Sequence, residues 1–265
     1  MASFQTRGAV LDYEIAGSDG PLVVQLHGLT SSRERDAQLG LNLARALRDH
    51  RVLRYDARGH GHSTGTLVEA DYTWPSLAED LLALLDHVAP GEQVHGVGPS
   101  MGTGTLLHAA LRDPGRFASM TLVTPPTAWK SRAAQSETYL ANAAMVEQEG
   151  VAAFVQRGST APTPPALADA PETGVAVPER LLPSVMRGAA ATDLPKKKQV
   201  AMIEVPALIL AWSGDRSHPL TTARALHDRM PHSRIVVART PYGVMAWPGL
   251  FAEFVTTVGV GDVPF

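Results

Sequence analysis

The 265-residue sequence contains no cysteine, no apolar run long enough to cross a bilayer, and no histidine beyond position 232. The absence of cysteine excludes disulfides, thiolate metal sites and a cysteine nucleophile. Without an apolar stretch of about 20 residues no membrane span is predicted, and the first residues lack the apolar segment of a signal peptide. From these absences we expect a cytoplasmic protein that does not enter a membrane.

Charge is also sparse, since charged residues make up 18% of the chain and the net charge is −3. No basic stripe with interleaved aromatic residues occurs, so no nucleic-acid partner is predicted. No P-loop, dinucleotide-binding glycine motif or H-E-x-x-H motif occurs either, so we expect neither a cofactor nor a metal. Hydrophobic residues make up 45% of the chain, enough for one large domain with a substantial core. The oligomeric state stays open.

Short apolar runs bounded by glycine and proline alternate with helical patterns along most of the chain. Runs such as LVVQLHG from residue 22 and PALILAW from residue 206 predict strands buried on both faces, as in a parallel sheet. Helical patterns such as ERDAQLGLNLARALRDH from residue 34 and WPSLAEDLLALLDHVA from residue 74 complete the alternation. The opening FQTRGAVLDYEIAG predicts an antiparallel hairpin at one edge. The predicted fold class is therefore α/β, with a doubly wound, mostly parallel sheet.

The alternation is interrupted between about Pro125 and Val205. Ala-rich helical stretches and a loop rich in proline and threonine occupy this segment, and the strand–helix alternation resumes after it. This change predicts an insertion at 125–205 in a core formed by residues 1–124 and 206–265.

Residues 96–104 read GVGPSMGTG and contain a G-x-S-x-G motif centred on Ser100. The motif alone is weak, but here it follows a predicted strand and precedes a predicted helix, as a nucleophile elbow requires. Its glycines let the strand and the helix approach closely, and the helix N-terminus favours negative charge beside the serine. We predict that Ser100 is a nucleophile. The alternative is a helix-capping serine in a Gly-rich turn.

The elbow belongs to a larger pattern that resembles the α/β-hydrolase superfamily over nearly the full chain. The other segments that carry the resemblance are His27-Gly28 after a strand, RYDARGHGHS at 54–63 and SGDRSHP at 213–219. Within the superfamily, the 54–63 segment is most similar to the esterase and enol-lactone hydrolase branch.

The resemblance implies roles for several residues around the serine. In the family, two backbone N–H groups form the oxyanion hole, and the matching groups here belong to Leu29 and Met101. His27 then shapes the oxyanion loop beside the substrate. The resemblance also makes residues 125–205 a helical cap over the site. Trp129, at the entrance of this segment, is the candidate for a wall of the substrate pocket, and the alternative is a packing residue.

Asp215 is the candidate acid, because it ends the run PALILAWSGD at the carboxyl rim of a predicted strand. It follows Ser100 in the chain, and the family order is serine, acid, histidine. Its predicted role is to orient an imidazole and to stabilise the imidazolium. The alternative is an aspartate that caps a turn or the following helix.

The histidine that completes this order is absent from its expected place. The family carries it in the loop after the last strand, where this chain has Thr240 and Pro241, and neither can act as a base near neutral pH. His218, three residues after Asp215 and on the same rim, is the candidate for a relocated base. The alternative is that His218 begins the next helix and lines the pocket. Tyr242 is a weaker candidate base, because a phenol needs a large pKa shift, and we predict it to contact substrate.

Two classes of function fit these observations. The first is a hydrolase of small carboxylic esters or lactones, in which Ser100 attacks the carbonyl and Asp215, with His218 or a water, handles the proton. The second is a hydrolase fold with a non-hydrolytic role, as a lyase, isomerase, cyclase or small-molecule binding protein, and the vacant histidine position motivates it. A purely structural or partner-binding role would leave the elbow, the oxyanion loop and the acid unused. The hydrolase of a small-molecule ester or lactone is the prediction.

Overall fold

A computed structural model describes residues 2–160 and 162–258, and its centre is one eight-stranded sheet. The strands are β1 (Ala2–Thr6), β2 (Ala9–Ala16), β3 (Leu22–Gln25), β4 (Arg51–Tyr55), β5 (Val94–Pro99), β6 (Phe117–Val123), β7 (Ala207–Trp212) and β8 (Ser233–Ala238). They lie in the order β1-β2-β4-β3-β5-β6-β7-β8. The first two strands form an antiparallel edge hairpin and β2 is antiparallel to β4, whereas all later pairings are parallel. The predicted fold class is confirmed.

Helices cover both faces of this sheet. They are α1 (Arg33–Gln38), α2 (Trp74–Val88), α3 (Met101–Arg112), α4 (Arg132–Ser159), α5 (Leu182–Ala190), α6 (Lys197–Val200), α7 (Leu220–His227), α8 (Pro241–Met245) and α9 (Trp247–Val258). Helices α2, α3 and α7 pack on one face, and α9 packs on the other together with a 3-10 turn at Leu43–Ala46. In the described ranges, none of the helices has the length and apolarity that a bilayer span needs.

The sequence of strand β7 is apolar throughout because the strand is buried on both faces. Successive side chains of a strand point to opposite faces of the sheet. Ala207, Ile209 and Ala211 pack on the α7 side, whereas Leu208, Leu210 and Trp212 pack on the α9 side. Because both faces are covered, every residue of the strand is buried.

The long helix predicted from residue 34 to residue 50 is wrong. Helix α1 ends at Gln38, and the chain then passes through Gly40, whose φ of +74° lies in the left-handed region that favours glycine. The turn releases Leu41 and Leu43 to pack in the same cluster as Phe251 of α9. The apolar residues have helical spacing in the sequence, but their burial against α9 requires a turn instead of a continuous helix.

The chain between β6 and β7 forms helices α4, α5 and α6 instead of further sheet. Helix α4 is kinked at Gly150, where φ is +82°. The helices enclose an apolar cluster of their own, formed by Tyr72, Ala143, Val146, Val177, Leu181, Leu182, Val185 and Met186. Parts of the predicted core and insertion, namely residues 1, 161 and 259–265, lie outside the described residues.

The parallel strands bring three loops to one edge of the sheet. Strand β3 lies between β4 and β5, so the direction of winding reverses between β3 and β5. A crevice opens at the carboxyl ends of strands at such a point, and ligands of α/β proteins bind there. The loops after β3, β5 and β7 therefore share the edge at which a site is expected.

Candidate active site

Ser100 occupies a sharp turn between β5 and α3. Its φ is +51° and its ψ is −107°, which a non-glycine residue adopts only when the surrounding structure enforces it. Its N–H donates to the carbonyl of Val123 at 2.9 Å. A Cβ on Gly98 would lie 2.8 Å from the carbonyl carbon of Gly102, so strand and helix approach this closely only because residue 98 is glycine. The side chain of Ser100 is half-buried and stands above the sheet edge.

His218 lies directly against this serine. Its Nε2 is 2.8 Å from the Ser100 Oγ, and its Nδ1 is 2.7 Å from the Oδ2 of Asp215. Because Nδ1 faces a carboxylate, Nδ1 carries the proton and Nε2 is left as the acceptor for the serine hydroxyl. The side chains of His218 and Asp215 are largely buried, with 20% and 13% of their surfaces exposed. The three predicted residues thus form one hydrogen-bonded chain from alcohol to carboxylate.

Both oxygens of Asp215 accept hydrogen bonds, from its own loop and from the end of β7. Oδ1 accepts from the N–H groups of Ser217, at 2.8 Å, and His218, at 3.3 Å. Oδ2 accepts from the indole N–H of Trp212 at 2.9 Å, in addition to the imidazole. Burial alone would raise the pKa of Asp215, but the bond and the charge of His218, with the Trp212 and Ser217 donors, lower it to about 2. The carboxylate is therefore ionised at neutral pH.

The backbone of this loop explains why His218 points inward. The chain turns after β7 at Gly214, whose φ is +79°. The carbonyl of Ser217 accepts a bond of 2.9 Å from the N–H of Thr127, which lies just after β6. Pro219 then precedes helix α7. The loop is thus fixed on both sides of the imidazole.

The loop after β3 runs beside the serine. A Cβ on Gly28 would lie 3.8 Å from the Ser100 Cβ, so the two backbones are in close contact. The N–H groups of Leu29 and Met101, which follow Gly28 and Ser100 in the chain, make no hydrogen bond within residues 2–160 and 162–258. His27 is buried, and both of its nitrogens are used: Nδ1 bonds the Gly28 carbonyl and Nε2 accepts from the Ala57 N–H. Its side chain supports the loop and has no polar atom left for a substrate.

A buried carboxylate not anticipated from sequence braces the same loop. Asp36 of α1 is 2% exposed and accepts a short bond from the Ser31 hydroxyl. Burial raises its pKa despite the opposing effects of His27 and of the Ser31 bond. Its position inside a charged ERD sequence gave no sign of burial.

The other two predicted substrate contacts lie differently. Trp129 is half-buried, its indole N–H donates to the Pro195 carbonyl at 2.9 Å, and its ring lies 5.2 Å from the Lys197 ammonium. Tyr242 is 81% exposed on α8, the helix that occupies the place after β8 where the histidine was expected. Within residues 2–160 and 162–258, neither Trp129 nor Tyr242 forms a hydrogen bond or a ring contact with Ser100 or His218.

Comparisons with known proteins agree with this architecture. The family described as alpha/beta hydrolase fold matches residues 21–144. Together with the sheet and the elbow, this match agrees with an α/β-hydrolase fold for the chain.

Two known proteins match part of this chain. Over 149 residues it is 36% identical to a protein of Variovorax paradoxus named "Putative carbamate hydrolase RutD", covering 55% of this chain and 53% of that one. Over 188 residues it is 31% identical to 3-oxoadipate enol-lactonase 1 of Acinetobacter baylyi, covering 65% of this chain and 63% of that one. The chain therefore spans between half and two thirds of these curated relatives.

Solved structures match over nearly the whole chain. A hydrolase from Pseudomonas aeruginosa superimposes with a TM-score of 0.78 at 26% identity, covering 98% of both chains. The enol-lactonase from Burkholderia xenovorans superimposes with a TM-score of 0.77 at 24% identity, covering 98% of this chain and all of that one. At 24% identity, the likeness to the Burkholderia enol-lactonase shows a shared fold only.

Proposed function

We propose that this protein hydrolyses small carboxylic esters or lactones, with Ser100 as the nucleophile. The observation that carries the proposal is the 2.8 Å contact between the Ser100 Oγ and the His218 Nε2, with Asp215 bonded behind the imidazole. An alcohol is a weak nucleophile until a neighbouring base takes its proton, and this contact supplies the base.

The first half of the reaction acylates the serine. His218 Nε2 removes the hydroxyl proton as the Ser100 Oγ attacks the substrate carbonyl, and the carbonyl oxygen becomes negative. The N–H groups of Leu29 and Met101 stabilise that oxygen, and one such donor is worth about 3 kcal/mol in the transition state. The tetrahedral intermediate then expels the alcohol portion, which takes the proton from His218. In a lactone the expelled hydroxyl stays attached to the acyl group.

The second half releases the acid. Water attacks the acyl-serine, His218 takes its proton, and the same N–H groups hold the new oxyanion. Collapse of this intermediate returns the proton to Ser100 and frees the carboxylic acid. Throughout both halves Asp215 stays ionised, which its pKa of about 2 favours, and stabilises the imidazolium.

The relatives support this class of substrate. Two curated proteins with significant identity are named as a carbamate hydrolase and an enol-lactonase, and both names describe attack on an acyl carbon bonded to a heteroatom. We further propose that residues 125–205 act as a cap over a core of residues 1–124 and 206–265. Leu29 favours this arrangement, because it packs against both the main core and the apolar cluster of the inserted helices.

The non-hydrolytic alternative rested on the vacant position after β8. The contact between His218 and Ser100 removes that motive, because the proton acceptor that hydrolysis needs lies within hydrogen-bonding distance. The hydrolytic reaction is therefore preferred.

The proposal is tested with the purified 265-residue chain and short-chain p-nitrophenyl esters, a six-membered lactone and an aryl carbamate. We expect turnover of at least one ester or lactone, reduced by about 1,000-fold or more in Ser100→Ala. Ser18→Ala, a change at an exposed turn serine, serves as the matched control and should behave as wild type. Turnover that survives in Ser100→Ala, or no turnover of any member of the panel, would refute the proposal.

A further inference from the structure

The indole of Trp212 makes a polar contact with the candidate acid. Trp212 is the last residue of β7 and is 4% exposed, and its Nε1–H donates to Asp215 Oδ2 at 2.9 Å. The same oxygen lies 2.7 Å from the His218 Nδ1. One carboxylate oxygen is therefore shared between the imidazole and the indole.

The ring of Trp212 is itself held in place. It stacks on Trp247 of α9, with ring centroids 5.8 Å apart and an angle of 15° between planes. It also meets the His218 ring edge-on, at 6.0 Å and 86°. Trp247 is fully buried, so the stack is anchored in the apolar layer between the sheet and α9. Strand position, ring packing and the bond to Asp215 therefore all hold the indole in this orientation.

The Trp247 ring provides an internal comparison. Its own Nε1 is buried and has no hydrogen-bond partner within the described ranges. Two stacked tryptophans of the same cluster therefore differ in one respect that concerns the site, namely that only the Trp212 N–H reaches the carboxylate.

We infer that Trp212 is a positioning residue, which fixes the Asp215 carboxylate and through it the His218 imidazole. This inference rests on the proposed function, since it assigns Trp212 a task within the same reaction. Asp215 and His218 lie three residues apart on one turn. A rotation of the Asp215 carboxylate would therefore move Oδ2, the atom that accepts the hydrogen bond from the His218 imidazole. The N–H groups of Ser217 and His218 hold Oδ1 from within the turn, and the indole of Trp212 holds Oδ2 from outside it, which opposes that rotation.

Replacing each tryptophan by phenylalanine separates the N–H from the packing. Trp212→Phe keeps an aromatic ring in the stack and removes the donor, so we expect kcat to fall about 10-fold with KM unchanged within twofold. Trp247→Phe makes the same change of size in the same cluster and should leave both constants within twofold of wild type. Complete titration of each variant with a fluorophosphonate counts the folded sites, so that kcat is expressed per competent molecule even if one variant folds poorly.

A double-mutant cycle tests whether Trp212 acts through Asp215. In an Asp215→Ala background the indole has no carboxylate to hold, so adding Trp212→Phe should change the residual kcat by less than twofold. A further 10-fold loss in that background would show that Trp212 acts by another route and would overturn the inference.

The two proposals fail in distinguishable ways. If the wild-type chain shows no Ser100-dependent turnover, the proposed function is wrong and Trp212 has no reaction to serve. If the wild type does turn over but Trp212→Phe and Trp247→Phe have equal kcat values, the proposed function stands and the inference about Trp212 is wrong.

Discussion

Asp215 and His218 show how much of this site depends on the direction of individual side chains. Their positions on the carboxyl rim follow from the sequence, because the apolar run that precedes them defines a strand end. The orientation of the imidazole does not follow, since it depends on the turn at Gly214 and on the bond from Thr127 to Ser217. The Thr127 bond joins residues 90 positions apart, and no local pattern encodes it.

His60 gives a prediction at the residue scale. It is 1% exposed, its Nδ1 bonds the Arg58 carbonyl, and its Nε2 is buried without a partner in the described chain. Burial, with the neighbouring His27, lowers its pKa to about 3. In the unfolded chain a histidine takes up a proton near pH 6.5. The folded state cannot follow until the pH nears 3, so folding stability falls as the pH drops below about 6.5.

His60→Gln removes this titration. Between pH 6 and pH 4.5 we expect the free energy of unfolding of the wild type to fall more steeply than that of the variant, by about 1 kcal/mol per pH unit. Urea denaturation at several pH values measures both slopes. His95, whose pKa burial lowers to about 4, contributes equally to both proteins. Parallel slopes would show that folding does not lower the pKa of His60.

At the scale of elements, the strand–turn–helix unit around Ser100 followed from sequence because glycine spacing and apolar runs are local signals. At residues 34–50 the spacing of apolar residues, also a local signal, predicted a long helix that does not form. There a helical spacing was interrupted at Gly40, and Leu41 and Leu43 turned to pack in the cluster that contains α9. Local patterns predict an element well when its tertiary environment agrees with them.

Replacement of glycine by alanine should have a large effect at the elbow residue Gly98 and little effect at the open position Gly158. Gly98→Ala puts a methyl group 2.8 Å from the backbone of Gly102, which cannot yield without moving Ser100. We expect a loss of about 1–3 kcal/mol in unfolding free energy and a large loss of ester turnover. Gly158→Ala, at an open position in α4, should leave turnover unchanged. Equal activity of the two variants would show that the close approach at the elbow is dispensable.

Helices α4 and α5 are joined by two arginines of very different burial. Arg132 is 4% exposed, lies 4.4 Å from the Trp74 ring centroid, and donates to the carbonyls of Ala189 and Thr192. No carboxylate lies within 4.0 Å of it in the described part of the chain, and burial lowers its pKa. Its contribution is therefore that of a buried donor to two carbonyls.

Arg132→Met leaves those carbonyls without their donor, so we expect a loss of about 2–4 kcal/mol in unfolding free energy. Arg187 also joins α4 and α5, through Glu147, but this pair is exposed to water. Arg187→Met should therefore cost less than about 1 kcal/mol. Urea denaturation of the two variants decides the matter, and a larger loss for Arg187→Met would contradict this account of how the inserted helices are held.

At the scale of the whole molecule, the parallel sheet explains why three loops distant in sequence form one site. The sequence supports the fold class, the edge hairpin and the shared rim because buried strands leave clear apolar runs. It left the base undecided between His218, Tyr242 and water, because that choice is made by long-range contacts between loops. The buried Asp36 and the indole of Trp212 were missed for the same reason.

The central claim is that His218 activates Ser100, and the rate of covalent modification by a fluorophosphonate tests it most directly. Peptide mass spectrometry locates the modified residue, and stopped-time labelling gives the second-order rate constant. We predict modification of Ser100 in the wild type, about 1,000-fold slower labelling in His218→Gln, and a wild-type rate in His62→Gln, which changes an exposed histidine. Labelling of His218→Gln at the wild-type rate, or at a residue other than Ser100, would contradict the claim.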